Sequence, residues 1–129
     1  MKNPIFLWSL KILAALILLQ TLYYKFSGAS ESIYIFQTLG LEPYGRIGLG
    51  IIEFITALFI LVPKTTSIGA IIGAGIMLGA ISSHIFVLGI EVNNDGGALF
   101  VLALITFACC CILIIAKKDE IINFIKSKF

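Results

Sequence analysis

Two long runs without a charged residue constrain the fold of this chain more than any other feature. Thr65–Ile90 has His84 as its only ionisable side chain, and Gly96–Ala116 contains only uncharged residues. A helix needs about 20 apolar residues to cross the hydrocarbon of a bilayer, and both runs are long enough. Hydrophobic residues make up 60% of the 129 residues and charged residues only 12%. This composition excludes a soluble enzyme and indicates an integral membrane protein.

Two further apolar runs complete a pattern of four spans. Ile12–Tyr24 is free of charge, and its helix extends towards the N-terminus if the ammonium group of Lys11 reaches the headgroups. Ile47–Val62 is interrupted only by Glu53. We therefore predict an all-α fold, a single transmembrane domain over 1–129 that forms a four-helix bundle, with spans at about 5–26, 46–62, 66–90 and 97–116.

The segments outside the spans predict two smaller helices. Between the first two spans, Ser30 is typical of an N-cap and Gly40 of a helix end, with Pro43 beyond it. The apolar residues between them predict a short amphipathic helix at the membrane surface. The mixed basic and apolar tail, 117–129, predicts a second amphipathic segment that lies against anionic lipid. Asp95 is predicted to cap the fourth span.

Lysine and arginine residues determine the predicted orientation. Four spans place both termini on one side, which then carries Lys2, Lys11, Lys64, Lys117, Lys118, Lys126 and Lys128. The other side carries only Lys25 and Arg46. This bias predicts a multi-pass protein of the cell (inner) membrane with both termini in the cytoplasm. The net charge of +2 is too small to indicate a nucleic-acid partner, so the predicted partner is the lipid bilayer.

Glycine pairs predict close packing of the third span. Gly69 and Gly73 form one GxxxG pair, and Gly75 and Gly79 form another on a different face of the same helix. Small residues let neighbouring backbones approach closely in lipid. The third helix is therefore predicted to contact two or more partners, and a homo-oligomer through one of these faces remains an alternative.

Polar residues on three spans predict a common internal site. Gln20, Glu53 and His84 each lie about six residues from the same membrane boundary, which places them at a depth of roughly 9 Å. Tyr24 lies one turn above Gln20, and Lys25 lies one turn above Thr21, so both can lean over the site. Polar groups at this depth are costly and are therefore candidates for ligand binding or proton handling.

The two most informative site residues each have a structural and a functional interpretation. A carboxylate such as Glu53 must be paired or neutral at this depth, and Lys25 or His84 is the available partner. Such a pair either locks helices together or forms part of a binding site. His84 is either a hydrogen-bonded helix residue or a partner for a quinone carbonyl. A single histidine and the adjacent Cys109, Cys110 and Cys111 predict no metal site.

Several short segments resemble the DoxX and DoxX-like family of small four-helix membrane proteins. They are Tyr24–Phe26, Phe36–Gly40 with Pro43, Ile52–Glu53, Leu58–Pro63, Met77–Ala80, His84 and Asn94–Gly97. By this resemblance, Lys25, Glu53 and His84 match positions that are typical of the family. The family is named after a subunit of a thiosulfate:quinone oxidoreductase, so the resemblance implies a membrane-associated redox protein as partner.

These observations favour two functions over a third, a small-molecule or proton conduit, which ranks last because the cytoplasmic half of the spans is almost wholly apolar. The first is a membrane redox accessory subunit that binds a quinone or lipid headgroup, and it predicts an internal cavity bordered by Gln20, Glu53 and His84. The second is a non-catalytic scaffold or assembly factor for partner proteins, and it predicts a tightly packed Lys25–Glu53–His84 cluster without a cavity. The sequence contains no self-contained catalytic motif, so the chain is at most a subunit of a quinone-linked oxidoreductase.

Overall fold

Every regular element that the structure describes is helical. The computed structural model describes residues 3–28, 30–42, 44–90 and 96–128. Their helices are α1 (Pro4–Ser27), α2 (Ser30–Thr38), α3 (Tyr44–Leu61), α4 (Thr66–Ser83), α5 (Ala98–Ala116) and α6 (Lys118–Lys128). A 3₁₀ turn, Pro63–Thr65, precedes α4, and a π-helical turn, His84–Leu88, follows it. The predicted all-α class is confirmed.

Four of these helices are long and apolar enough to cross a membrane. They are Pro4–Ser27, Tyr44–Leu61, Pro63–Leu88 (α4 with its flanking turns) and Ala98–Ala116. Large apolar side chains cover their outer faces, among them Ile5, Leu16, Leu78, Phe86 and Val101. Such a surface is stable against lipid tails but not against water. The helices therefore indicate a multi-pass membrane protein, as the sequence predicts.

The four long helices contact one another in a ring. α1 packs against α3 and α5, and α4 packs against the same two helices from the opposite side. Their shared core consists largely of small and branched apolar residues, including Ala14, Leu18, Ala57, Ile60, Ala70 and Leu113. The start of α1 and the end of α5 lie at one end of this ring, where Lys11 is near Lys117 and Glu120, and we call this end the terminal side. We call the other end, which carries α2, the α2 side.

The two glycine pairs of α4 have different surroundings. A Cβ atom on Gly69 would lie 2.7 Å from the backbone nitrogen of Ile60, and one on Gly73 would lie 2.9 Å from the Sγ atom of Cys110. Cβ atoms on Gly75 and Gly79 would meet no heavy atom within 4 Å. The first pair therefore lets α4 pack closely on α3 and α5, whereas the second pair faces open space.

The short helix α2 ends where the sequence predicts. Gly40 has a φ of 76°, and its N–H donates to the carbonyl of Gln37 at 3.1 Å. The N–H of Leu41 donates to the carbonyl of Phe36 at 2.7 Å, which completes a Schellman motif. Phe36 is buried, and α2 contacts α1, α3 and the π-helical turn. Pro43 lies outside the described residues.

Arg46 has a structural role that the sequence does not reveal. Its Nε atom donates to both carboxylate oxygens of Glu42, at 3.0 and 2.9 Å, and its Nη1 atom donates to the backbone carbonyl of Lys25. The last carbonyls of a helix have no partner within the helix, so this arginine supplies one at the end of α1. Arg46 therefore joins the start of α3 to the end of α1, and its side chain is largely buried.

The third span ends differently from the prediction. The α-helix stops at Ser83, and a π-helical turn replaces the continuous helix expected up to residue 90. Gly89, with a φ of 84°, redirects the chain so that its carbonyl oxygen lies 3.0 Å from Nδ1 of His84. The next helix, α5, follows Gly97, whose φ of 84° leads into it. The predicted cap, Asp95, lies outside the described residues.

Lys11 is a buried residue of α1 whose ammonium group is turned towards the start of the helix. Its side chain is 4% exposed, and its Nζ atom lies 4.4 Å from the centre of the Trp8 ring. Trp8 precedes Lys11 by three residues, so the two side chains share a face of α1. The cation–π contact replaces part of the hydration that an extended lysine would keep.

Candidate functional site

A cavity of about 530 Å³ lies on the α2 side of the ring. Side chains from all five of the helices α1 to α5 and from the π-helical turn line it, and most of these are apolar. Ligand pockets in proteins usually measure about 300–1,000 Å³ and combine an apolar wall with a few polar groups. The size and lining of this cavity therefore suit a small organic ligand.

All five residues that the sequence predicts for the site line this cavity. Gln20, Tyr24 and Lys25 come from α1, Glu53 comes from α3, and His84 comes from the π-helical turn. Gln20 and Tyr24 are exposed, whereas Glu53 and His84 are buried. Counted from the helix ends on the α2 side, Gln20 lies seven residues from Ser27, Glu53 nine from Tyr44 and His84 four from Leu88, so their depths are not equal.

Lys25 and Glu53 form an ion pair at the wall of the cavity. The Nζ atom of Lys25 lies 3.1 Å from Oε2 of Glu53, and the Glu53 side chain is 3% exposed. Of the two partners that the sequence allows for Glu53, the structure pairs it with Lys25. This contact joins α1 to α3 and places a charged donor and a charged acceptor next to the cavity.

Thr21 also lines the cavity and is not among the five site residues that the sequence predicts. Its hydroxyl oxygen lies 3.3 Å from Oε2 of Glu53 and 2.8 Å from the carbonyl oxygen of Leu18. A hydroxyl has one proton, so it donates to one of these acceptors at a time. Thr21 precedes Lys25 by four residues, and this spacing is the sequence signal that both face the same acceptor.

His84 lines the cavity, and one of its two ring nitrogens already has a hydrogen-bond partner within the chain. The carbonyl oxygen of Gly89 only accepts hydrogen bonds, so Nδ1 of His84 carries a proton and donates to it. In the neutral ring, Nε2 is then a hydrogen-bond acceptor. Nε2 has no hydrogen-bond partner among the described residues. The ring also packs edge-to-face on Phe100, with 5.6 Å between the ring centres, which holds its orientation.

The helix α2 contributes to the cavity, although its sequence predicts only a helix at the membrane surface. Ser32 and Phe36 are both buried and line the cavity together with Ile35 and Leu39. Amphipathic periodicity identifies an apolar face but does not reveal which surface that face covers. The apolar face of α2 covers the end of the cavity.

Compared with protein-family models, curated proteins and solved structures, the chain matches none of them. The resemblance to the DoxX family therefore remains a prediction from short sequence segments.

Proposed function

We propose that this chain forms a four-helix membrane bundle that binds a membrane-dissolved amphiphile in its cavity. The ligand has a small hydrogen-bonding headgroup, of which a quinone is the leading example, and an apolar chain. In this role the chain is an accessory subunit of a membrane redox system. In this proposal α2 lies at the membrane surface, and the distribution of lysine and arginine supports an inner-membrane protein with cytoplasmic termini.

This proposal is based on a cavity whose wall is mostly apolar and includes a small group of polar side chains. Lys25, Glu53 and His84 supply the polar groups, while residues such as Leu18, Leu49, Met77 and Leu102 supply the apolar wall. A scaffold without a ligand predicts that the three polar residues pack together and leave no space. The cavity therefore favours a binding function over the scaffold, which remains the alternative.

The residues at the wall fit the headgroup of a quinone. The ammonium group of Lys25 has three N–H donors. Among the described residues its one hydrogen-bond acceptor is Glu53, so a second N–H can donate to an oxygen atom of the ligand. His84 presents Nε2 to a second polar atom of the ligand. A bound quinone supplies electron and proton transfer, and both Glu53 and His84 are groups that exchange protons.

The charge balance favours a neutral headgroup over a phosphate. The positive charge of Lys25 is matched by Glu53 at 3.1 Å, so the pair has no net charge to offer to an anion. A phosphate would have to displace the Glu53 carboxylate from Lys25 or lie beside it, and like charges at short range repel each other. A lipid headgroup without net charge fits the same wall as a quinone.

Removing the ion pair as a unit tests this function. We expect the double variant Lys25→Met/Glu53→Gln to bind a chain-bearing benzoquinone about tenfold more weakly or worse, because a hydrogen bond from a charged donor contributes about 1.5–3 kcal/mol. Binding is measured by equilibrium dialysis of the purified protein in lipid nanodiscs. The matched control is Lys117→Met/Glu120→Gln, which removes the pair at 3.7 Å on the terminal side.

Two outcomes would contradict the proposal. Equal affinity in the wild type and the double variant would show that the polar wall does not contact the ligand. A wild type that binds neither the quinone nor any other amphiphile would favour the scaffold. A folded double variant, judged by its melting temperature, is required for the comparison.

A further inference from the structure

The wall of the cavity is interrupted at two glycines of α4. Gly75 and Gly79 both line the cavity, yet both are exposed on the outside of the helix. A Cβ atom at either position would meet no heavy atom within 4 Å. The cavity is therefore open to the surroundings of the protein along this side of α4.

The opening lies where α3 and α4 separate. Gly69, Ile76 and Ser83 are spaced by seven residues and therefore share a face of α4. Gly69 touches the backbone of α3 at Ile60, whereas Ile76 and Ser83 line the cavity. The contact between α3 and α4 is thus close on the terminal side and gives way to the cavity towards the α2 side. Gly79 is adjacent to this face, between Ile76 and Ser83.

The opening lies at the depth of lipid tails. Gly79 and Gly75 precede His84 by five and nine residues, which corresponds to about 7.5 and 13.5 Å along the helix. Both glycines therefore lie within the apolar span Pro63–Leu88, well away from its ends. Only an apolar group is stable in an opening at this depth, because water is absent there.

A buried histidine at the inner end of the opening has an unused hydrogen-bonding atom. His84 is 5% exposed, and its Nε2 atom has no partner among the described residues. In the same part of the chain, every fully buried side-chain nitrogen or oxygen has a hydrogen-bond partner. Nε2 is therefore accessible from the cavity, where a ligand headgroup can meet it.

We infer that the gap between α3 and α4 at Gly75 and Gly79 is a lateral entrance from the bilayer. Through it, the headgroup of a single-chain amphiphile reaches Lys25 and His84, and its apolar chain then rests against the two glycines. This inference rests on the proposed function, because it concerns the ligand of the same cavity. It adds the route of entry and the residues that accommodate the chain.

Glycine is the residue type that such an entrance requires. Any side chain at position 75 or 79 would occupy the gap through which the chain passes. The backbone at both positions is regular α-helix, so glycine is not required there to allow a positive φ angle. Larger residues are consequently compatible with folding, and they separate the effect on ligand entry from the effect on stability.

The variant Gly79→Leu tests the entrance. We expect the affinity for a chain-bearing benzoquinone to fall about tenfold, which is the loss expected when two methylene groups of the chain are no longer buried. The association rate should also fall. Gly79→Ala should show a smaller loss in the same direction. Both are measured by equilibrium dialysis and stopped-flow mixing in nanodiscs, with the melting temperature unchanged.

The matched control is Gly48→Leu on α3, because a Cβ atom there also meets nothing within 4 Å and Gly48 does not line the cavity. The control should bind as the wild type does. If the wild type and Gly79→Leu bind the benzoquinone with the same affinity and rate, the inferred entrance is contradicted while the proposed function stands. An equal loss in Gly48→Leu also overturns the entrance. A wild type that binds no amphiphile overturns both proposals.

Discussion

Replacing Lys25 by methionine, with Glu53 left in place, should destabilise the protein by roughly 3 kcal/mol, because it leaves a buried carboxylate without its counter-charge. Glu53 is 2% exposed, so water cannot compensate for the lost partner at 3.1 Å. Thr21, at 3.3 Å, is the one other hydrogen-bond donor to this carboxylate among the described residues. The effect is measured as the melting temperature of the purified protein in a mild detergent.

Adding Glu53→Gln to Lys25→Met should restore most of the lost stability. A glutamine has the same size as glutamate but carries no charge, and removing both members of a buried pair is often nearly neutral. The two single variants and the double variant form a cycle that measures the coupling between the charges. Additive losses in the double variant would contradict the ion pair.

Substituting Gly69 by alanine should cost about 1–3 kcal/mol or more, because the added methyl group overpacks a close helix contact. The new Cβ atom would lie 2.7 Å from the backbone nitrogen of Ile60, and a backbone atom cannot move without moving α3. Gly75→Ala is the matched control, because its Cβ atom meets nothing within 4 Å. The melting temperature should fall sharply for the first variant and stay within error for the second.

The reverse pattern would contradict the packing described above. If Gly75→Ala destabilised the protein and Gly69→Ala did not, the second glycine pair would be the one in contact with a neighbour. In lipid, that neighbour would be a second copy of the chain, which is the alternative that the sequence leaves open. The size of the protein–detergent complex would then decrease in Gly75→Ala.

The four spanning helices are predictable because their signal is local. Runs without charge such as Gly96–Ala116 determine where a helix can cross a membrane. The shared cavity is also predictable, because the positions of Gln20, Glu53 and His84 follow from counting residues back from the helix ends. The identity of the partner of Glu53 does not follow from such a count, since Lys25 and His84 both satisfy it.

Other features depend on contacts that the sequence does not display. The apolar face of α2 could have covered lipid or protein, and only the fold shows that Phe36 covers the cavity. The π-helical turn is held by the contact between His84 and the carbonyl of Gly89, which no periodicity predicts. The sequence places Arg46 at the start of the second span, but it does not reveal that the guanidinium group donates to a carbonyl at the end of α1.

Native mass spectrometry of the protein, purified in a mild detergent and released from its micelle, tests the binding function most directly. We predict that the wild type carries about one copy of an amphiphile with a small uncharged headgroup and an apolar chain, and that Lys25→Met/Glu53→Gln carries much less of it. The control Lys117→Met/Glu120→Gln should carry as much as the wild type. A wild type without bound amphiphile, both as purified and after incubation with a chain-bearing quinone, would contradict the account.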